Sequence, residues 1–154
     1  MTGSSIYLDT SPFIYYLEQN REYFDRVRYF FKESYHNNRL LFTSAVTIEE
    51  YCVYPLSMGN MQAIDEFNAF LNGMNISVVP VSREIAFDAA KLRTKYKGFK
   101  ALDSIHLATA QFCQCDLFLT NDKQLRQTQE ITVLTMDDLL QAQAQPVLQT
   151  QSVL

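Results

Sequence analysis

At 154 residues the chain is expected to form one domain with a sizeable core, and its 47% hydrophobic and 13% aromatic content excludes a disordered polypeptide. A formal net charge of −4 excludes capture of a polyanion by bulk electrostatics, so a nucleic-acid partner would need a local basic patch or a bound cation. Cys52, Cys113 and Cys115 lack zinc-ligand or redox-pair spacing, no apolar run reaches the roughly 20 residues of a membrane span, and no signal-like segment opens the sequence, which predicts reduced thiols in a soluble, cytoplasmic protein.

Ile6, Tyr7 and Leu8 form a short apolar run suited to a central parallel strand, and it ends on Asp9. Ser11-Pro12 reads as a helix start, a hydroxyl N-cap and then proline where its missing N–H costs nothing, with the helix running through Leu17. Phe24, Val27, Phe31 and Tyr35 recur at steps of three and four and predict an amphipathic helix over residues 22–35. The aromatic density from Phe13 to Tyr35, with Tyr15, Tyr16, Tyr23, Tyr29 and Phe30, exceeds what one helical face can bury, so some rings are expected to cover a partner or a second subunit. A second strand follows over residues 40–43, then a helix from Val46 stopped by Pro55, and a further helix marked by Met61, Ile64, Phe67, Leu71 and Met74, with Gly73 near its end.

Residues 76–79 form a third strand, Ser82 caps a helix carrying Ile85, Ala89, Leu92 and Tyr96, and Gly98 breaks it. A small, apolar helix over residues 101–112, a buried strand over 117–120, a last strand over 131–134 and a helix begun by Thr135-x-x-Asp138 complete the pattern. Strands alternating with helices predict an α/β fold with a mainly parallel sheet covered on both faces. The domain is expected over residues 1–140, and the Gln-rich residues 141–154 as a flexible tail.

Four acids occupy comparable positions. Asp9 and Asp122 each lie just past the carboxyl end of a strand, the edge at which open α/β sheets bind ligands. Asp116 begins the strand that Asp122 follows, roughly 16 Å away along a five-residue strand, so Asp122 is favoured. Asp103 and Glu50 stand in the first turns of helices. Three of the four also have a plain structural role open to them: turn or helix cap for Asp9, helix-dipole compensation for Asp103, and a capping box with Thr47 for Glu50. Were all four to share one crevice, their repulsion would call for a hard cation, and Mg²⁺ or Mn²⁺ held by carboxylates suits phosphate-ester chemistry.

The segments Tyr7-Leu8-Asp9-Thr10-Ser11, Thr43-Ser44-Ala45-Val46-Thr47-Ile48-Glu49-Glu50, Leu102-Asp103-Ser104-Ile105-His106-Leu107-Ala108-Thr109-Ala110 and Phe118-Leu119-Thr120-Asn121-Asp122 resemble, in order and spacing, the signature blocks of PIN-domain nucleases. Within that family the layout is similar to the VapC-type toxin ribonucleases of toxin-antitoxin pairs. The resemblance implies a three-layer α/β/α fold and Mg²⁺- or Mn²⁺-dependent cleavage of RNA, with a cognate antitoxin and a homodimer as partners and no membrane. It places the family's acids on Asp9, Glu50 (with Glu49 as rival), Asp103 and Asp122, with Thr10, Ser11, Ser104, Thr120 and Asn121 orienting them.

Lys91, Arg93, Lys95, Lys97 and Lys100 precede Asp103, and Lys97 and Lys100 are the expected phosphate contacts, with Tyr96 or Phe99 as a stacking face and Lys91 and Arg93 as a solvated helix face. His106 follows Asp103 by three and so can approach the pocket in an acid-base role, but on an alanine-rich helix it reads first as a packed, hydrogen-bonded residue; His36 reads as a surface residue. A phosphoaspartyl enzyme is disfavoured because no second Asp lies two residues after Asp9. The remaining alternatives are a catalytically silent PIN-like scaffold and a PIN nuclease of RNA processing.

Overall fold

In the computed structural model, which describes residues 4–143, a parallel five-stranded sheet lies between two helical layers. The elements run β1 (Ser5–Leu8), α1 (Thr10–Leu17), α2 (Phe24–His36), β2 (Leu40–Ser44), α3 (Ala45–Ser57), α4 (Met61–Gly73), β3 (Ser77–Val79), α5 (Arg83–Lys95), α6 (Ala101–Phe112), β4 (Leu117–Thr120), a 3₁₀ turn (Lys123–Gln127), β5 (Thr132–Thr135) and α7 (Met136–Gln143). Of the tail expected over residues 141–154, residues 144–154 lie outside the described residues, and 141–143 belong to α7.

The strand order is β3-β2-β1-β4-β5, with every pair parallel. The chain builds outward from β1 on one side and then returns to β1 on the other, so β1 and β4 flank the topological switch point. A crevice opens there outside the carboxyl ends of the strands, because the crossovers leaving β1 and β4 depart to different sides. β1 is central, and its alternation feeds both layers: Ile6 and Leu8 pack with Phe13, Phe31, Tyr51 and Phe67, while Tyr7 packs with Ile85, Leu107 and Phe118 on the face covered by α5 and α6.

Several boundaries differ from the sequence expectation for identifiable reasons. α1 is capped by Asp9, whose carboxylate accepts from Thr10 N at 2.7 Å, so Ser11 lies inside the helix and not at its cap. In α2 the buried residues are Val27, Phe30, Phe31 and Ser34, while Tyr35 is exposed; the inward stripe is turned by one residue and Phe30 joins the core. Pro55 lies within α3 and does not end it. Its fixed φ suits a helix, and the stop comes at Gly59, with φ +63°, after Met58 N and Asn60 N have closed on the carbonyls of Tyr54 and Pro55. Asn75, with φ +52°, serves α4 in the same way, so Gly73 is not the terminator. Ser82, the bounds of α6 and β4, and the Thr135–Asp138 cap stand as expected, the last with Thr135 N donating to Asp138 Oδ2 at 2.7 Å.

Candidate metal centre

Asp9 is fixed from three directions. Its backbone N–H donates to Leu119 O at 3.0 Å, extending the β1–β4 ladder one residue beyond β1. Its Oδ1 accepts from Thr10 N at 2.7 Å and its Oδ2 from Thr120 Oγ1 at 2.6 Å. Capping α1 and facing the crevice are therefore compatible roles, since each oxygen keeps a further lone pair.

Glu50 reaches the same place from α3. The capping box expected between Thr47 and Glu50 does not form, because Ser44 caps α3 through Val46 N at 3.2 Å. Thr47 instead is buried, sharing a 2.7 Å hydrogen bond with Thr43, whose hydroxyl donates to Leu8 O at 2.8 Å. That buried pair pins the first turn of α3 to the end of β1 and aims Glu50 across the crevice. Successive helical residues point about 100° apart, so Glu49 is exposed while Glu50 is half-buried. Glu50 Oε2 accepts from Thr10 Oγ1 and from His106 Nε2, the latter at 2.8 Å.

His106 is the residue the sequence reading undervalued. It is packed as expected, at 1% exposure, but it stands between the acids: Nε2 is also 3.5 Å from Asp9 Oδ1, and Nδ1 is 2.8 Å from the hydroxyl of Tyr7. A signal was available, because positions three apart on a helix share a face, and so do positions two apart on a strand. His106 follows Asp103 by three, and Tyr7 precedes Asp9 by two. One atom each from Asp9, Glu50 and His106 lies within 4.8 Å of the others.

Asp103 and Asp122 stand outside that tight triangle but share its field. Burial pushes the Asp103 carboxyl above its ordinary range, the charges of Asp122 and Asp9 push it the same way, and a 3.3 Å bond from Lys100 N only partly opposes them. Burial also works against ionised Glu50, but the hydrogen bonds from His106 and Thr10 outweigh it and hold the carboxyl below its usual range. For His106 burial disfavours the cation, whereas the bond to Glu50 and the charges of Asp9, Glu50 and Asp103 raise its pKa overall. Asp122 caps the 3₁₀ turn, its Oδ1 accepting from Gln124 N at 2.9 Å. Asp116 lies at the other end of β4, where its carboxylate accepts from Ser5 N at 2.8 Å.

The donor set suits a hard divalent cation. It is made mostly of carboxylate oxygens, and burial first, then the neighbouring charges of Asp122 and Asp9, work against an ionised Asp103, a cost that a cation seated among the acids would offset. Of the five small polar residues expected around the acids, Thr10 and Thr120 bond carboxylates directly. Ser11 Oγ instead accepts from Asn121 N at 3.1 Å, Asn121 Nδ2 donates to the Tyr15 hydroxyl at 2.8 Å, and Ser104 Oγ donates to Lys100 O at 3.0 Å. Those three brace the loop after β4 and the start of α6, and so act on the acids only through the backbone.

The basic stretch divides in two. Lys91 pairs with Asp88 at 2.8 Å and Lys95 with Glu130 at 2.6 Å, whereas Lys97 and Lys100 are exposed and carry no ion pair among the described residues. The stacking face expected from Tyr96 or Phe99 is not available. Phe99 is buried, and Tyr96 stacks on it at 4.9 Å with its hydroxyl bonded to Glu130.

The PIN domain family model matches residues 6–131. Among curated proteins, none matches the sequence. Similar solved structures include a toxin-antitoxin complex from Klebsiella pneumoniae, with a TM-score of 0.65 and 21% identity, covering 85% of this chain and 97% of that one. DNA-bound VapBC from Salmonella typhimurium has a TM-score of 0.70 at 15% identity, covering 86% and 98%. A sarcin-ricin loop cleaving toxin from Mycobacterium tuberculosis has a TM-score of 0.59 at 13% identity, covering 73% and 86%.

Proposed function

The chain belongs to the PIN-domain family, and from that premise we propose that it is a metal-dependent endoribonuclease, the toxin of a toxin-antitoxin pair. The observation that carries the reading is the meeting of Asp9 and Glu50 at the β1–β4 switch point, with Asp103 near enough to feel the charges of Asp9 and Asp122. Asp9, Glu50, Asp103 and Asp122 would hold Mg²⁺ or Mn²⁺. When bound there, such an ion would supply Lewis acidity, lowering the pKa of a water and stabilising the leaving oxygen of a phosphodiester. The chain's own groups do the rest: Thr10 and Thr120 fix carboxylate orientation, and Lys97 and Lys100 hold backbone phosphates beside the acids. Carboxylates bear no base code, so target choice belongs to the surfaces around the crevice.

Two features support the toxin assignment within the family. The structures of similar fold include toxin-antitoxin complexes. In addition, Val53, Tyr54, Leu56, Met58 and Met61, where α3 meets α4, are all more than half exposed, an apolar cluster suited to a protein partner such as an antitoxin. The test is incubation of the purified chain with RNA in Mg²⁺, Mn²⁺ or excess chelator, beside Asp9→Asn. Cleavage that requires both the ion and Asp9 supports the enzyme. A chain that binds its partner but leaves RNA intact under every condition is the silent scaffold.

A further inference from the structure

The proposed centre contains one nitrogen donor, His106, and its hydrogen bonds decide what it can do there. Nε2 lies 2.8 Å from Glu50 Oε2, a distance that requires a hydrogen between nitrogen and oxygen. An ionised carboxylate only accepts, so the hydrogen belongs to Nε2. In the neutral ring Nδ1 is then the acceptor, and the Tyr7 hydroxyl at 2.8 Å is its donor; in the cation both nitrogens donate, Nδ1 to the phenol oxygen. Either way no lone pair on His106 faces the crevice.

We propose that His106 is a positioning residue and not a metal ligand: buried Tyr7 sets the ring, Nε2–H holds Glu50 Oε2, and Glu50 Oε1 is left free for a cation. The geometry of Glu50 fits this division. Oε2 takes two donors, Thr10 Oγ1 and His106 Nε2, while Oε1 has no hydrogen bond among the described residues. A three-torsion side chain is thereby held in one rotamer beside Asp9, and the same N–H, 3.5 Å from Asp9 Oδ1, offsets the repulsion between the two carboxylates. The metal part of this inference rests on the nuclease reading; the direction of the His106–Glu50 hydrogen bond does not.

Two measurements on the full chain labelled with ¹⁵N-histidine test it. In the metal-free protein, long-range ¹H–¹⁵N spectra should show His106 Nε2 protonated at neutral pH; an unprotonated Nε2 overturns the proposal. With Mn²⁺ added, electron spin-echo modulation should show no histidine nitrogen coupled to the ion, and such coupling would overturn it too. Mn²⁺ affinity should fall about 10- to 100-fold in His106→Leu and recover to within about threefold in His106→Gln, whose amide can donate from the Nε2 position. Equal loss in both variants identifies ligation by the imidazole, and no loss in either removes the positioning role. If the unmodified chain binds no Mn²⁺, the nuclease reading fails, while the metal-free spectrum still decides the His106–Glu50 bond.

Discussion

Thr120 serves two neighbours at once, donating to Asp9 Oδ2 at 2.6 Å and accepting from Asp122 N at 3.0 Å. Thr120→Val keeps the shape and removes both bonds, so RNA cleavage should fall about tenfold and stability by about 1 kcal/mol, read from steady-state rates and urea unfolding. The acids should behave differently. Asp103→Asn removes charge from a site in which burial, Asp122 and Asp9 already disfavour it, so the fold should be retained while cleavage falls about 100-fold or more. A metal-free Asp103→Asn variant that unfolds more readily than the parent would assign Asp103 to the structure of α6. At this scale the sequence was informative about which residue types matter, through the four acids and two of the hydroxyls. It was least informative about His106 and Tyr7, because a histidine on an alanine-rich helix and a tyrosine in a strand read as core until the helix–strand pairing is known.

Among the elements, the join between α5 and β5 carries a measurable pH dependence. Glu130 accepts from Lys95 Nζ at 2.6 Å, Tyr96 OH at 2.7 Å, Thr128 Oγ1 at 2.6 Å and Gln129 N at 3.0 Å. Burial works against its ionised form, but these donors together hold its pKa down at about 2. A depressed folded-state pKa means the contribution is complete above the unfolded value of 4.5 and is lost as pH falls towards 2. Thermal unfolding between pH 5 and pH 2 should therefore show a smaller loss of stability in Glu130→Gln than in the parent, and at pH 7 the variant should be less stable by about 1 kcal/mol. Element identity was legible from apolar periodicity and caps, as at Ser82, α6 and β4. Boundaries were less so: Asp9 and Ser11 are both good caps, and only the path of the chain between β1 and α1 selects Asp9.

For the molecule as a whole, a cation that binds the folded state alone must stabilise it. At a hundredfold excess over its dissociation constant, Mn²⁺ should add about 2.7 kcal/mol and raise the melting temperature by about 5–10 °C, a shift absent in Asp9→Asn. An unchanged melting temperature in the parent would leave the acids without their ion. The net charge of −4 makes a second test informative, because binding of single-stranded RNA must rely on local cations. Replacing Lys97 and Lys100 with alanine should reduce the salt dependence of RNA affinity by about 1.4 in log–log slope, and an unchanged slope would place the phosphates elsewhere.

The order of short apolar strands and helices, and the residue types at their ends, were determined by the sequence itself, because hydrophobic periodicity and capping act over a few neighbouring positions. From these followed the parallel α/β sheet and the candidate acids Asp9, Glu50, Asp103 and Asp122. Tertiary structure alone decided that Glu50 and not Glu49 enters the crevice, that Asp9 and Glu50 meet while Asp103 and Asp122 stand farther out, and that His106 lies between Tyr7 and the carboxylates. Such contacts join residues 40 to 111 positions apart. They depend on strand order and on how α3 and α6 sit against β1, which no local pattern encodes.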